Sequence, residues 1–139
     1  MRAVAIAAVA LASIATFAWA QERTASPAGA EVYIISPKDG ATVKSPVTIE
    51  FGLKGMGVAP AGVKFENTGH HHLLIDTELP PPGEPIPNNR NHLHFGGGQT
   101  EVKIELPPGR HTLQLILGDA DHVPFEPSIV SQQITVIVP

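Results

Sequence analysis

The sequence predicts an all-β domain, an antiparallel immunoglobulin-like β-sandwich of about seven strands preceded by a cleaved signal peptide. Three observations carry that expectation. Apolar and polar residues alternate with period two in one short run after another. The runs are separated by turn chemistry, drawn from 14 prolines and 13 glycines. No segment shows a helical period and no internal repeat is visible. Short strands, regular turns and about one domain's worth of chain suit a two-sheet sandwich. A jelly roll or small barrel is the alternative arrangement of the same strands.

The first 20 residues are expected to lie outside that domain. Arg2 is followed by a nearly unbroken apolar run, Ala3 to Phe17, and then by Ala18-Trp19-Ala20, a small-x-small cleavage pattern. The run is short for a membrane span and has no basic stop-transfer cluster after it. With no cysteine in the chain there is no lipoprotein anchor, so the expectation is a periplasmic or secreted protein without a membrane anchor after cleavage. Removing 20 residues from 139 leaves 119, enough for a single core. An exported chain without cysteine must be stabilised by burial, with a bound metal as a supplement. Loss of Arg2 takes the formal charge from −4 to −5, which argues against nucleic acid and for a cationic ligand.

Residues 21–30 (QERTASPAGA) are small and polar and read as a flexible leader, so the sandwich is assigned to 31–139. Glu31 to Ile35 is a β-branched and aromatic run ended by Pro37 and Asp39-Gly40. Pro46 to Leu53 alternates strictly, with Val47, Ile49, Phe51 and Leu53 on one face. Lys54 to Thr68 is broken by glycines and reads as a long loop containing Met56. His70 to Asp76 is the third strand. Thr77 to Asn91 holds five prolines and reads as a stiff polyproline connection. A short strand, His92 to Phe95, ends at Gly96-Gly97-Gly98. Thr100 to Leu106 and His111 to Leu117 follow, joined by Pro107-Pro108-Gly109. Beyond the loop from Gly118 to Pro127, Ile129 to Val138 closes the domain with Ile134, Val136 and Val138 facing the core.

The chemistry available to this chain is largely imidazole. Of the seven histidines, His70 and His72 share one strand face, and so do His92 and His94. In an immunoglobulin-like order of strands, the start of the third strand, the end of the fourth and the loop carrying His122 meet at one end of the sandwich. The candidate metal ligands are therefore His70, His72, His94 and His122, with His92 in reserve and Met56 nearby. Asp119 and Asp121 are candidate acceptors that orient a ring. His71 shares the parity of Leu73 and Ile75 and is expected to be a partly buried ring bonded to backbone. His111 begins a strand at the opposite end, where it suits a histidine version of the tyrosine corner.

Four motifs, GHHHLLID, HLHFGGGQTE, LPPGRHTLQLILGD and DHVPFEPS, occur in this order over roughly residues 46–138. Together they resemble a family of exported bacterial domains of unknown function. The resemblance implies a His-rich exported domain and supplies no activity.

The expected function is an exported metal-binding module holding a copper ion, with a zinc ion as alternative, because imidazole without thiolate suits both and divalent affinity peaks at copper. The other reading is a binding or adhesion module whose histidines recognise a glycan, a peptide or an envelope protein. No Gly-x-Ser-x-Gly, phosphate loop or HExxH supports an enzyme. Ligating imidazoles must be neutral, so a converged cluster is expected to lose metal as pH falls through roughly 6 to 5.

Overall fold

Alternation in the sequence becomes alternation in burial. In a computed structural model describing residues 22–139, the strands are β1 (Glu31–Ser36), β2 (Val47–Lys54), β3 (Gly57–Val58), β4 (Thr68–Ile75), β5 (His92–His94), β6 (Glu101–Ile104), β7 (Gly109–Gly118) and β8 (Ile134–Val138). No helix occurs among the described residues, and the signal peptide expected at 1–20 lies outside them. One sheet has the order β1-β2-β6, the other β3-β4-β7-β8. Val32, Val47, Ile49 and Phe51 from the first sheet pack against Leu73, Ile75, Leu113, Leu115 and Leu117 from the second. The fold is thus the all-β, two-sheet sandwich that the patterning predicts.

The fourth strand joins the second sheet. β7 occupies one edge of β4, and the other edge takes β3 at Thr68–Gly69 and β5 at His72–Leu74. The proline-rich segment directs this pairing. It leaves β4 at Ile75 and returns to the same point, where Asn91 Nδ2 donates to the Ile75 carbonyl at 2.9 Å and the Asn91 carbonyl accepts from Ile75 N–H at 2.9 Å. β5 therefore starts beside β4 and runs back along it. The two-residue β3 inside the Lys54–Thr68 loop is too short to leave a periodic signal.

The closing strand is shorter than expected because it carries a bulge. Val130 pairs with Ile116, whereas Ile134 pairs with Leu113, so one extra residue is inserted on the β8 side. Ser131 secures it, its buried hydroxyl accepting from Leu115 N–H at 2.8 Å and donating to the Gln132 carbonyl at 2.9 Å. The supposed flexible leader is also engaged. Residues 24–26 run beside Glu126, with Glu126 N–H donating to the Thr24 carbonyl at 2.9 Å and Ser26 N–H to the Glu126 carbonyl at 3.0 Å. Arg23 reaches the Phe125 carbonyl, Glu126 and Ser128.

His111 ties the corner opposite the start of β4. Its Nδ1 lies 2.7 Å from Asp76 Oδ2 and its Nε2 lies 2.7 Å from the Pro107 carbonyl oxygen. Both partners only accept, so the ring satisfies both only as imidazolium. The Asp76 hydrogen bond, opposed by desolvation and helped by the Pro107 carbonyl, raises the His111 pKa above 6.5. Stabilisation from a raised pKa is fully present below the unfolded value and is lost as pH rises through the folded one. Asp76→Asn retains an acceptor for Thr112 N–H, now 2.8 Å from Oδ1, and removes the charge. In urea unfolding it should cost about 1 kcal/mol at pH 6 and clearly less at pH 8.5. An equal cost at both pH values would show that the ring is neutral throughout.

Candidate metal centre

β4 is buried on both faces, and this places its imidazoles. Its inward parity, His71, Leu73 and Ile75, faces the first sheet, and the outward parity is His70, His72 and Leu74. The outward face is covered by the strap of residues 77–91. Ile86 packs on Leu74 and Ile116 as a second small core, and its N–H donates to the His122 carbonyl at 2.8 Å. His70 and His72 are each 1% exposed.

Two other elements bring the remaining rings. β5 sets His94 directly opposite His72 in the antiparallel register. His122 arrives on the β7–β8 connection, whose tight turn is closed by Asp119: its Oδ1 accepts from Asp121 N–H at 2.9 Å and from Val123 N–H at 3.0 Å. Within that turn His122 takes a φ of 67°, a left-handed conformation that costs a non-glycine residue on the order of 1 kcal/mol. The side chain that results from this strained backbone joins the other three.

One nitrogen from each of His70, His72, His94 and His122 lies within 4.8 Å of the others. His70 Nε2 is 3.0 Å from His72 Nε2 and 3.1 Å from His122 Nδ1. The His94 ring centroid is 5.0 Å from that of His72 and 4.7 Å from that of His122, and its buried Nε2 has no hydrogen-bond partner. The facing nitrogens of His70, His72 and His122 have only one another as partners, and an orphaned buried nitrogen such as His94 Nε2 ordinarily costs about 1–3 kcal/mol, so the cluster calls for an ion or water. Burial, reinforced by His122 and His94, pushes the His70 pKa down to about 4. Burial together with His70, His94 and His122 lowers that of His72 to about 2. At neutral pH these two rings are uncharged and hold lone pairs for a cation.

Two glycines make room for the rings. A Cβ on Gly118 would sit 2.9 Å from His72 Nε2, and one on Gly96 would sit 2.4 Å from His94 Cε1. Sequence reasoning treated both as turn residues. Gly96 closely follows the strand that carries His94, whereas Gly118 ends β7 and meets His72 only through the pairing of β7 with β4, which the local sequence does not signal.

Other expected contributors lie elsewhere. The cluster sits on the outer face of the second sheet, at the end where β4 begins and β7 finishes, and His122 reaches it from the β7–β8 connection. His92 is outside the group and its Nδ1 lies 2.9 Å from Asn89 Oδ1. Met56 packs against the main apolar core. Asp119 orients the His122 turn and accepts from Thr24 at 2.8 Å, so it reaches His70 only through its charge. Asp121 pairs with exposed Lys64 at 3.5 Å. His71 is fully buried against Phe51, with ring centroids 5.1 Å apart, and neither of its nitrogens is hydrogen-bonded. The interior there is aromatic and offers no backbone partner, so burial pushes its pKa to about 4.

The family model described as "Domain of unknown function (DUF4399)" matches residues 49–139. No curated protein and no solved structure matches the chain.

Depressed histidine pKa values contribute stability above the unfolded value of about 6.5, and this is lost as pH falls from there toward 4. In the folded metal-free protein, NMR titration should find the His70 and His72 rings still neutral at about pH 5.5, while the melting temperature falls between pH 7 and 5. Titration of both rings near 6.5 would contradict the buried cluster.

Proposed function

Because the chain belongs to the DUF4399 family of domains of unknown function, the site itself is the guide to activity, and we propose that the protein is an exported metal-binding module holding copper ahead of zinc. The single observation that carries the metal reading is the convergence of four imidazole nitrogens, from three separate segments, within 4.8 Å. Four neutral nitrogen donors without thiolate or carboxylate suit Cu(II) or Zn(II), and the order of divalent affinities favours copper. Zinc with four protein ligands would make a closed, structural site. His70, His72, His94 and His122 are the proposed ligands. Export to the periplasm or outside the cell is supported by the apolar run ending in Ala18-Trp19-Ala20.

One observation favours a second role for the same domain. Leu79, 47% exposed, stands beside Pro80, Pro81 and Pro82 at a groove floored by Ile116 and Val130. A strap of this kind suits contact with an envelope protein or a glycan, and such contact would be insensitive to chelators.

Calorimetric titration of the purified protein with Cu(II) and with Zn(II) tests the metal reading. One equivalent should bind with Kd below about 10 μM, near −7 kcal/mol, and chelation should lower the melting temperature. His72→Ala should weaken binding at least tenfold, about 1.4 kcal/mol, and Gly118→Ala should do the same by displacing the His72 ring. Wild-type affinity in both variants would overturn the assignment.

A further inference from the structure

The four rings do not close the site on every side. A cavity of about 130 Å³ is lined by His72, His94 and His122 on one wall and by Pro85, Ile86 and Asn88 of the strap on the other. His70 is not in the lining and is nearly inaccessible. A water molecule occupies roughly 30 Å³ of liquid, so the cavity has room for more than a cation and one water. Resting on the metal reading above, we propose that this cavity is a binding site for a small anion of two to four heavy atoms, which takes an open coordination position on the bound metal beneath the strap.

The lining sets the chemistry of that ligand. Four neutral imidazoles leave the charge of a divalent cation uncompensated, so an anion is favoured over a neutral molecule of the same size. No carboxylate lines the cavity to compete for the position. The Asp119 carboxylate is held by Asp121 N–H, Val123 N–H and Thr24. Asn88, exposed at the rim, supplies the one non-histidine polar side chain, an amide able to donate to an anion's far atom. Pro85 and Ile86 form an apolar wall that limits size. Ile86 is fixed by its own N–H on the His122 carbonyl and by its packing on Leu74 and Ile116, so the wall is part of the same construction as the rings.

Azide is the probe. Cu(II)-loaded protein titrated with sodium azide should develop a saturable azide-to-copper charge-transfer band, with a matching change in the copper EPR spectrum. Asn88→Trp places a large side chain at the rim and should weaken azide at least tenfold while Cu(II) still binds. Stoichiometric copper uptake with no azide band, or an azide midpoint unchanged in Asn88→Trp, would overturn this inference alone. Failure to take up any stoichiometric metal would overturn the metal reading and this inference with it.

Discussion

Keeping imidazoles dry is the constraint on which the second sheet depends. A histidine in water is satisfied and titrates near 6.5, whereas His70, His71 and His72 are all essentially inaccessible and their protonation is displaced well downward by burial. To bury three successive residues, both faces of β4 must be covered. The first sheet covers His71, and the 77–91 strap with β5 and the His122 turn covers His70 and His72. The prolines limit the strap's unfolded freedom, so Ile86 is held against Leu74 and Ile116 at less entropic cost.

The same constraint explains several local features that have no separate rationale. The left-handed His122, the Asp119 turn and the pairing of residues 24–26 with Glu126 all hold one loop at a fixed height above the sheet. Gly96 and Gly118 lack the Cβ atoms that would occupy the space of the His94 and His72 rings. His111, on the other hand, is satisfied by Asp76 and Pro107 and prefers charge, so two histidine populations in one small domain respond to pH in opposite directions.

Much of this was legible because it is written in local periodicity. Val47, Ile49 and Phe51, or Leu113, Leu115 and Leu117, announce their strands and their faces directly. The convergence of His70 with His72 follows from strand parity, and the expectation that His94 and His122 approach them follows from strand order. What local pattern does not encode is long-range pairing. The choice of β4 as partner for β5 depends on Asn91 returning to Ile75, and the bulge depends on a buried Ser131. The outward-facing position of the cluster depends on the strap folding back over a sheet face that alternation alone assigns to solvent. Asp119 was misread for a related reason, since a carboxylate beside histidines suggests a ring partner until the backbone donors of its own turn are seen to occupy it.

The central claim is that four imidazoles from β4, β5 and the β7–β8 connection surround one metal ion. X-ray absorption at the metal edge of the copper- or zinc-loaded protein reads that shell directly. The account predicts about four nitrogen scatterers at roughly 2.0 Å with the outer-shell pattern of imidazole rings. It also predicts that this shell loses one ring in His94→Ala. A shell of oxygen scatterers without imidazole features, or a shell unchanged in His94→Ala, would contradict it.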